Sequence, residues 1–175
     1  MNQVNELLTL LESEPNSPSV PTLISDIEAN TSVDLHEDSH LLTGVWELRW
    51  SSSSQPWLKQ APWLENLQVL DVGSAKGCNL LRLKGFFGSF ASITVQAELD
   101  VRDNTTIGVL FKRGGWLGPS INGWTPKLLA SINQSYPAWL QITFINETLR
   151  LCRGNAGTLF ALTRRTDLEV SAWIR

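Results

Sequence analysis

Leu41-Leu42-Thr43-Gly44-Val45-Trp46-Glu47-Leu48-Arg49-Trp50 is the stretch in which the chain changes its period. From Gly44 onward apolar and polar positions alternate, with Trp46, Leu48 and Trp50 on one face and Val45, Glu47 and Arg49 on the other. Period two is the mark of a strand with one buried face, so a β domain is predicted to open here. The same alternation returns at Ile93, Val95, Ala97 and Leu99, at Ile107, Val109 and Phe111, and at Leu140, Ile142 and Phe144. Weaker strand runs cover residues 67–72, 78–85, 149–153 and 157–164, separated by turn pairs such as Gly73–Ser74 and Asp103–Asn104. About eight short strands without βαβ spacing predict an antiparallel barrel or sandwich. One interruption, residues 125–133, reads as a short helix.

Upstream of Leu41 the period is helical. Val4, Leu7, Leu8 and Leu11 share one face of a helix ended by Pro15, and Val20, Leu23, Ile24 and Ile27 mark a second. Residues 30–39 are polar and read as a linker. The expected organisation is therefore a helical leader and linker over 1–40, a barrel over 41–166, and a tail over 167–175.

Composition excludes several classes. Of the 175 residues, 42% are hydrophobic and 18% charged, a mixture too apolar for intrinsic disorder. Fourteen Lys and Arg against 17 Asp and Glu leave no basic excess for nucleic acid. Cys78 and Cys152 are too few for a disulfide framework and read as free thiols in a reducing compartment. The run from Val4 to Leu11 is interrupted by polar residues, so it is no signal peptide, and no stretch reaches the length of a membrane span. The expectation is an intracellular protein that at most touches a membrane surface.

Catalytic patterns fare poorly. His36-Glu37-Asp38-Ser39-His40 matches H-E-x-x-H, in which a helix sets two His ligands on one face and leaves the Glu to activate water. Here it falls in the polar linker, and these are the only two His in the chain, so no metal site is expected. A Ser or Cys nucleophile needs a base within reach, and both His lie away from the strands. Gly114–Gly115 and residues 154–157 lack the strand-to-helix context of a phosphate loop. Neither an enzyme nor a cofactor is expected.

The opening strand, with Leu41–Ser53 read through Gly44-Val45-Trp46, resembles that of the plastid-lipid-associated (PAP/fibrillin) family, and residues 149–162, Leu-Arg-Leu-Cys-Arg-Gly-Asn-Ala-Gly-Thr-Leu-Phe-Ala-Leu, resemble its closing hairpin. Val69-Leu70-Asp71-Val72 and Asn79 match its second and third strands. The resemblance implies a lipocalin-like barrel that binds lipids or isoprenoids and sits peripherally on thylakoids or lipid globules, without catalytic residues. Two departures are Trp50, where the family usually has Tyr, and the tail after Asp167. With no transit peptide before the first helix, the resemblance points to a cyanobacterial protein or a processed plastid one, cytoplasmic or at the thylakoid periphery. In lipocalin-like barrels Gly permits close approach, Trp plugs the closed end, and a late-strand Arg stacks on the indole. The resemblance thus pairs Trp46 with Arg153 above Gly44.

Parity sets the expected site. Closing these strands into a barrel points one apolar set inward, predicting a cavity lined by Leu48, Trp50, Val95, Leu99, Val109, Phe111, Ile142 and Phe144 for a lipid, quinone or carotenoid class of ligand. The long segment 51–66 could lid it. The chain holds eight Trp, of which Trp57, Trp63, Trp116 and Trp124 fall in Pro- and Gly-rich loops. Trp116 and Leu117 follow Lys112 and Arg113, an apolar tip behind two cations that suits a membrane interface. Three functions remain open: a hydrophobe carrier, a chromophore (bilin)-handling barrel, and a coat protein of lipid bodies. The oligomeric state is left open.

Overall fold

The computed structural model describes residues 2–55, 58, 61, 63–84, 92–118, 126–133 and 138–174. Helices α1 (Asn2–Ser13), α2 (Ser19–Ala29) and α3 (Leu35–Leu42) precede the strands. These are β1 (Gly44–Ser51), β2 (Leu64–Asp71), β3 (Lys76–Leu83), β4 (Ser92–Val101), β5 (Thr106–Leu117), β6 (Lys127–Ser131), β7 (Ala138–Ile145), β8 (Leu149–Gly154) and β9 (Leu159–Arg164). All pairings are antiparallel, in the order β4-β3-β2-β1-β9-β8-β7-β5-β6, and β4 also pairs with β5. That last pairing closes eight strands into a ring, and β6 is left outside it as an extension of β5. The chain is mainly β and barrel-like, as the alternation predicts.

Two elements differ from the sequence reading, and the tail, for which it gave no role, finds a place in the fold. The supposed linker contains α3, whose first turn is capped by Asp34 accepting from the His36 amide at 3.0 Å. Glu37 and Asp38 then sit where the helix dipole favours anions. Within 125–133 the described residues hold strand β6 rather than a helix, because β5 runs on past β7 and offers Arg113–Leu117 as a free edge. The tail is also ordered: Leu168, Val170, Trp173 and Ile174 cover Val45, Leu67, Val69, Cys78 and Leu80 on the outside of the sheet.

Each face of the barrel wall finds its own cover. On the outside, α1 and α2 bury Leu7, Leu11, Val20, Ile24 and Ile27 against Phe144, Leu149, Leu151 and Ala161. Inside, Trp46, Leu48, Leu70, Leu99, Ile107, Ile142, Cys152 and Leu162 pack with Leu35 and Leu42 of α3. Helix α3 thereby plugs one end, anchored by the Leu35 amide donating to Asn104 O at 2.7 Å. A strand covered on both faces loses the alternation of buried and exposed positions, and β8 is buried along nearly its whole length even though it carries Arg150 and Arg153.

Charge fixes the tail. Arg165 Nη1 bridges Glu65 at 2.7 Å and Glu47 at 3.1 Å, and its Nη2 reaches Asp167 at 2.7 Å. Arg82 adds a 2.6 Å bond to Glu65 and lies 5.3 Å from the Trp173 ring centroid. Burial would raise the Glu65 pKa, but hydrogen bonds and charge from Arg165 and Arg82 override it and hold the carboxyl below its usual range.

Candidate ligand-binding site

The closed end is built around Trp46, which is fully buried. Its Nε1 donates to Leu42 O at 2.9 Å, tying the indole to α3. Two guanidinium groups approach the ring: Arg164 at 4.3 Å from the centroid and Arg150 at 5.0 Å. Arg164 also donates to the carbonyls of Thr43 at 2.8 Å, Glu147 at 2.7 Å, and Leu41. Gly44 makes room for it, since a Cβ there would collide with Arg164 Nη1.

Arg153 is not the partner of Trp46. Its side chain points outward and pairs with Glu28 of α2. The parity grouping of Leu149, Leu151 and Arg153 holds, but that face meets the helices. The other face of β8 carries Arg150 and Cys152 inward. Sequence reasoning missed Arg150 and Arg164 because an Arg at a covered strand position is invisible to hydropathy.

Beside the Trp46 layer lies a partly open cavity of about 240 Å³, just under the roughly 300–1,000 Å³ usual for ligand pockets. Leu48, Leu99, Val109 and Phe111 of the expected set line it, together with Leu70, Trp139, Phe160 and Leu162. Leu58, from the segment between β1 and β2, also reaches it. The remaining four expected residues sit elsewhere. Ile142 is buried in the interior cluster beneath the cavity, and Val95 is half-buried on β4 outside its lining. Trp50 and Phe144 face outward into the helix-packed cluster. The register shifts between Leu48 and Trp50 in β1, and between Ile142 and Phe144 in β7. One extra residue in a period-two pattern reverses the face of everything beyond it.

Polar atoms on the lining come mainly from amides: Asn66, Gln68, Asn79 and Asn155. Gln68 Oε1 accepts from Arg150 Nη2, so the floor of the cavity rests on a buried cation. Cys78 touches both this cavity and the tail-covered face, with its Sγ 2.9 Å from Thr94 Oγ1. Burial pushes its thiol pKa up, which keeps it neutral. Cys78 and Cys152 are both buried and free.

The face that lines the cavity continues along β4 and β5 to a row of exposed apolar side chains. Ile93 is 56% exposed, its register partner Trp116 is 40% exposed, and Leu128, opposite Trp116 on β6, is 74% exposed. Leu117 does not share this face. Trp116 and Leu117 close a strand rather than a loop tip, so they diverge, and Leu117 packs against the same outer cluster that the tail covers. Lys112 pairs with Glu98 at 2.8 Å, and Arg113 is exposed beside it. Trp63 is also exposed, while Trp57 and Trp124 lie outside the described residues. His36 and His40 lie on the exposed side of α3, and no group of three metal-ligating side chains occurs among the described residues.

The PAP/fibrillin family model matches residues 8–163 of this chain. The chain belongs to the PAP/fibrillin family. The match takes in the second half of α1 and all of α2 and α3. PAP/fibrillin proteins are lipid-associated, and no helix among the described residues is long and apolar enough to cross a membrane. No curated protein and no solved structure matches the chain.

Proposed function

We propose that this PAP/fibrillin protein is a non-catalytic carrier that holds one hydrophobic molecule of lipid, quinone or carotenoid class in its barrel. It does so while resting on the surface of a photosynthetic membrane or lipid globule. The observation that carries this reading is the continuity of one apolar face, from the cavity lining at Ala97 and Leu99 to the exposed Ile93, Trp116 and Leu128. A hydrophobe leaving a bilayer needs an apolar path, and indoles settle at headgroup depth. Arg113 supplies a nearby cation for anionic lipid. The amides on the lining bind but do not titrate, and the neutral Cys78 thiol is a poor nucleophile, which favours carriage over chemistry.

Native mass spectrometry of the gently purified protein, followed by titration with a fluorescent fatty acid and a quinone, tests the reading. A co-purifying hydrophobe, or saturable one-to-one binding, is expected. Absence of both abandons the carrier role, and a co-purifying bilin replaces it with chromophore handling.

A further inference from the structure

Arg150 is fully buried inside the barrel and has no ion pair with a carboxylate among the described residues. Its Nη2 donates to Gln68 Oε1, while Nε and Nη1 have no hydrogen-bond partner among the described residues. The neighbours are neutral or positive. Burial raises the Cys152 thiol pKa and keeps that group protonated, Trp46 offers only its ring face, and Arg164 brings a second cation to the same indole. Burial also pushes the Arg150 pKa down, to about 10, which leaves it charged at neutral pH. An unpaired buried guanidinium is a costly feature to keep without an anion.

Gln68 links this charge to the cavity. A guanidinium can only donate, so Gln68 must turn its carbonyl oxygen to Arg150 and its NH₂ group away from it. Gln68 lines the cavity and is the register partner of Trp46, at the closed end. The floor therefore presents N–H donors backed by a positive charge, beneath walls of Leu48, Leu70, Val109 and Phe111.

We propose that the ligand is a single-chain amphiphile whose head is a carboxylate, seated at the Gln68–Arg150 floor with its hydrocarbon chain running towards the mouth. This rests on the carrier reading and specifies its ligand. A carboxylate oxygen accepts from Gln68 Nε2, and by displacing Gln68 Oε1 it can bond Arg150 itself, a charge-assisted contact. An alcohol of equal length gains the hydrogen bond without the charge. A cavity of about 240 Å³ also suits one chain better than a two-chain lipid.

Titration of the full chain with dodecanoate and with dodecanol at pH 7.5 tests this, in the wild type and in Gln68→Glu. The wild type should bind dodecanoate at least about tenfold more tightly, about 1.4 kcal/mol. In Gln68→Glu the new carboxylate pairs with Arg150 and takes the ligand's place, so the ratio should fall towards one or invert. Equal affinities in the wild type, or an unchanged ratio in a folded Gln68→Glu, would overturn the head-group assignment and leave the carrier reading standing. Failure of the wild type to bind either probe also overturns the head-group assignment, and the carrier reading falls with it only if the quinone does not bind and no hydrophobe co-purifies. Should Gln68→Glu not fold, the wild-type ratio alone decides.

Discussion

Arg164, the last residue of β9, stacks 4.3 Å from the ring centroid of Trp46 and donates to three carbonyls that surround the start of β1. The first and last strands of the barrel are thereby joined by one side chain in addition to their ladder. Arg164→Ala removes the cation–π contact and strips those carbonyls of a charged donor. A loss of about 2–3 kcal/mol is expected in urea unfolding. Arg153→Ala, which breaks only a partly exposed ion pair with Glu28, should cost about 1 kcal/mol or less. The reverse order would reinstate Arg153 as the closing residue.

Gly44→Ala places a methyl group against Arg164 Nη1 and should destabilise the wild type by about 1–3 kcal/mol. In an Arg164→Ala background the collision is gone and part of that penalty should vanish, the rest coming from the positive φ of Gly44, 154°, which a residue with a Cβ rarely adopts. A double-mutant cycle measures the coupling; strict additivity would mean that Gly44 serves some other purpose.

Val109 stands on the cavity wall at the edge of the interior cluster, and Val109→Trp directs a larger ring into the open space. Unfolding free energy should move by less than about 1 kcal/mol, whereas overpacking would cost about 1–3, and binding of a fluorescent fatty acid should be lost. Phe144→Ala is the complementary experiment. Because Phe144 is buried under α1 and α2, stability should fall by about 3–5 kcal/mol with ligand affinity unchanged in the folded protein.

Hydrogen bonding to Arg165 holds the exposed Asp167 carboxyl at about 2, below its usual value of 3.8. A group depressed in the folded state stabilises above its unfolded pKa and loses that effect as pH falls through the folded one. The tail anchor should therefore be intact above about pH 4 and weaken progressively towards pH 2. Asp167→Asn should flatten stability against pH in that window by up to one proton, measured as urea midpoints across the acid range. An unaltered slope would remove Asp167 from the anchor.

The sequence was informative wherever one physical signal dominated. Period two from Gly44 onward sets the strands, helical spacing sets α1 and α2, and Gly44-Val45-Trp46 marks the barrel's first strand and its plug. Helix α3 was also within reach, since Asp34 followed by Glu37 and Asp38 is a helix start with an acidic first turn; the missing apolar stripe hid it. What sequence could not settle was which face is which. Two register shifts turned Trp50 and Phe144 outward, and helices on one side with a ligand-sized interior on the other buried both faces of β8, Arg150 included. Alternation reports that two faces differ, never which one looks inward. Only closure of the ring by β4 on β5, and the packing of α1, α2 and the tail outside it, decided that Arg150 and Gln68 meet at the floor of the cavity. They stand 82 residues apart, and no local propensity acts over that distance.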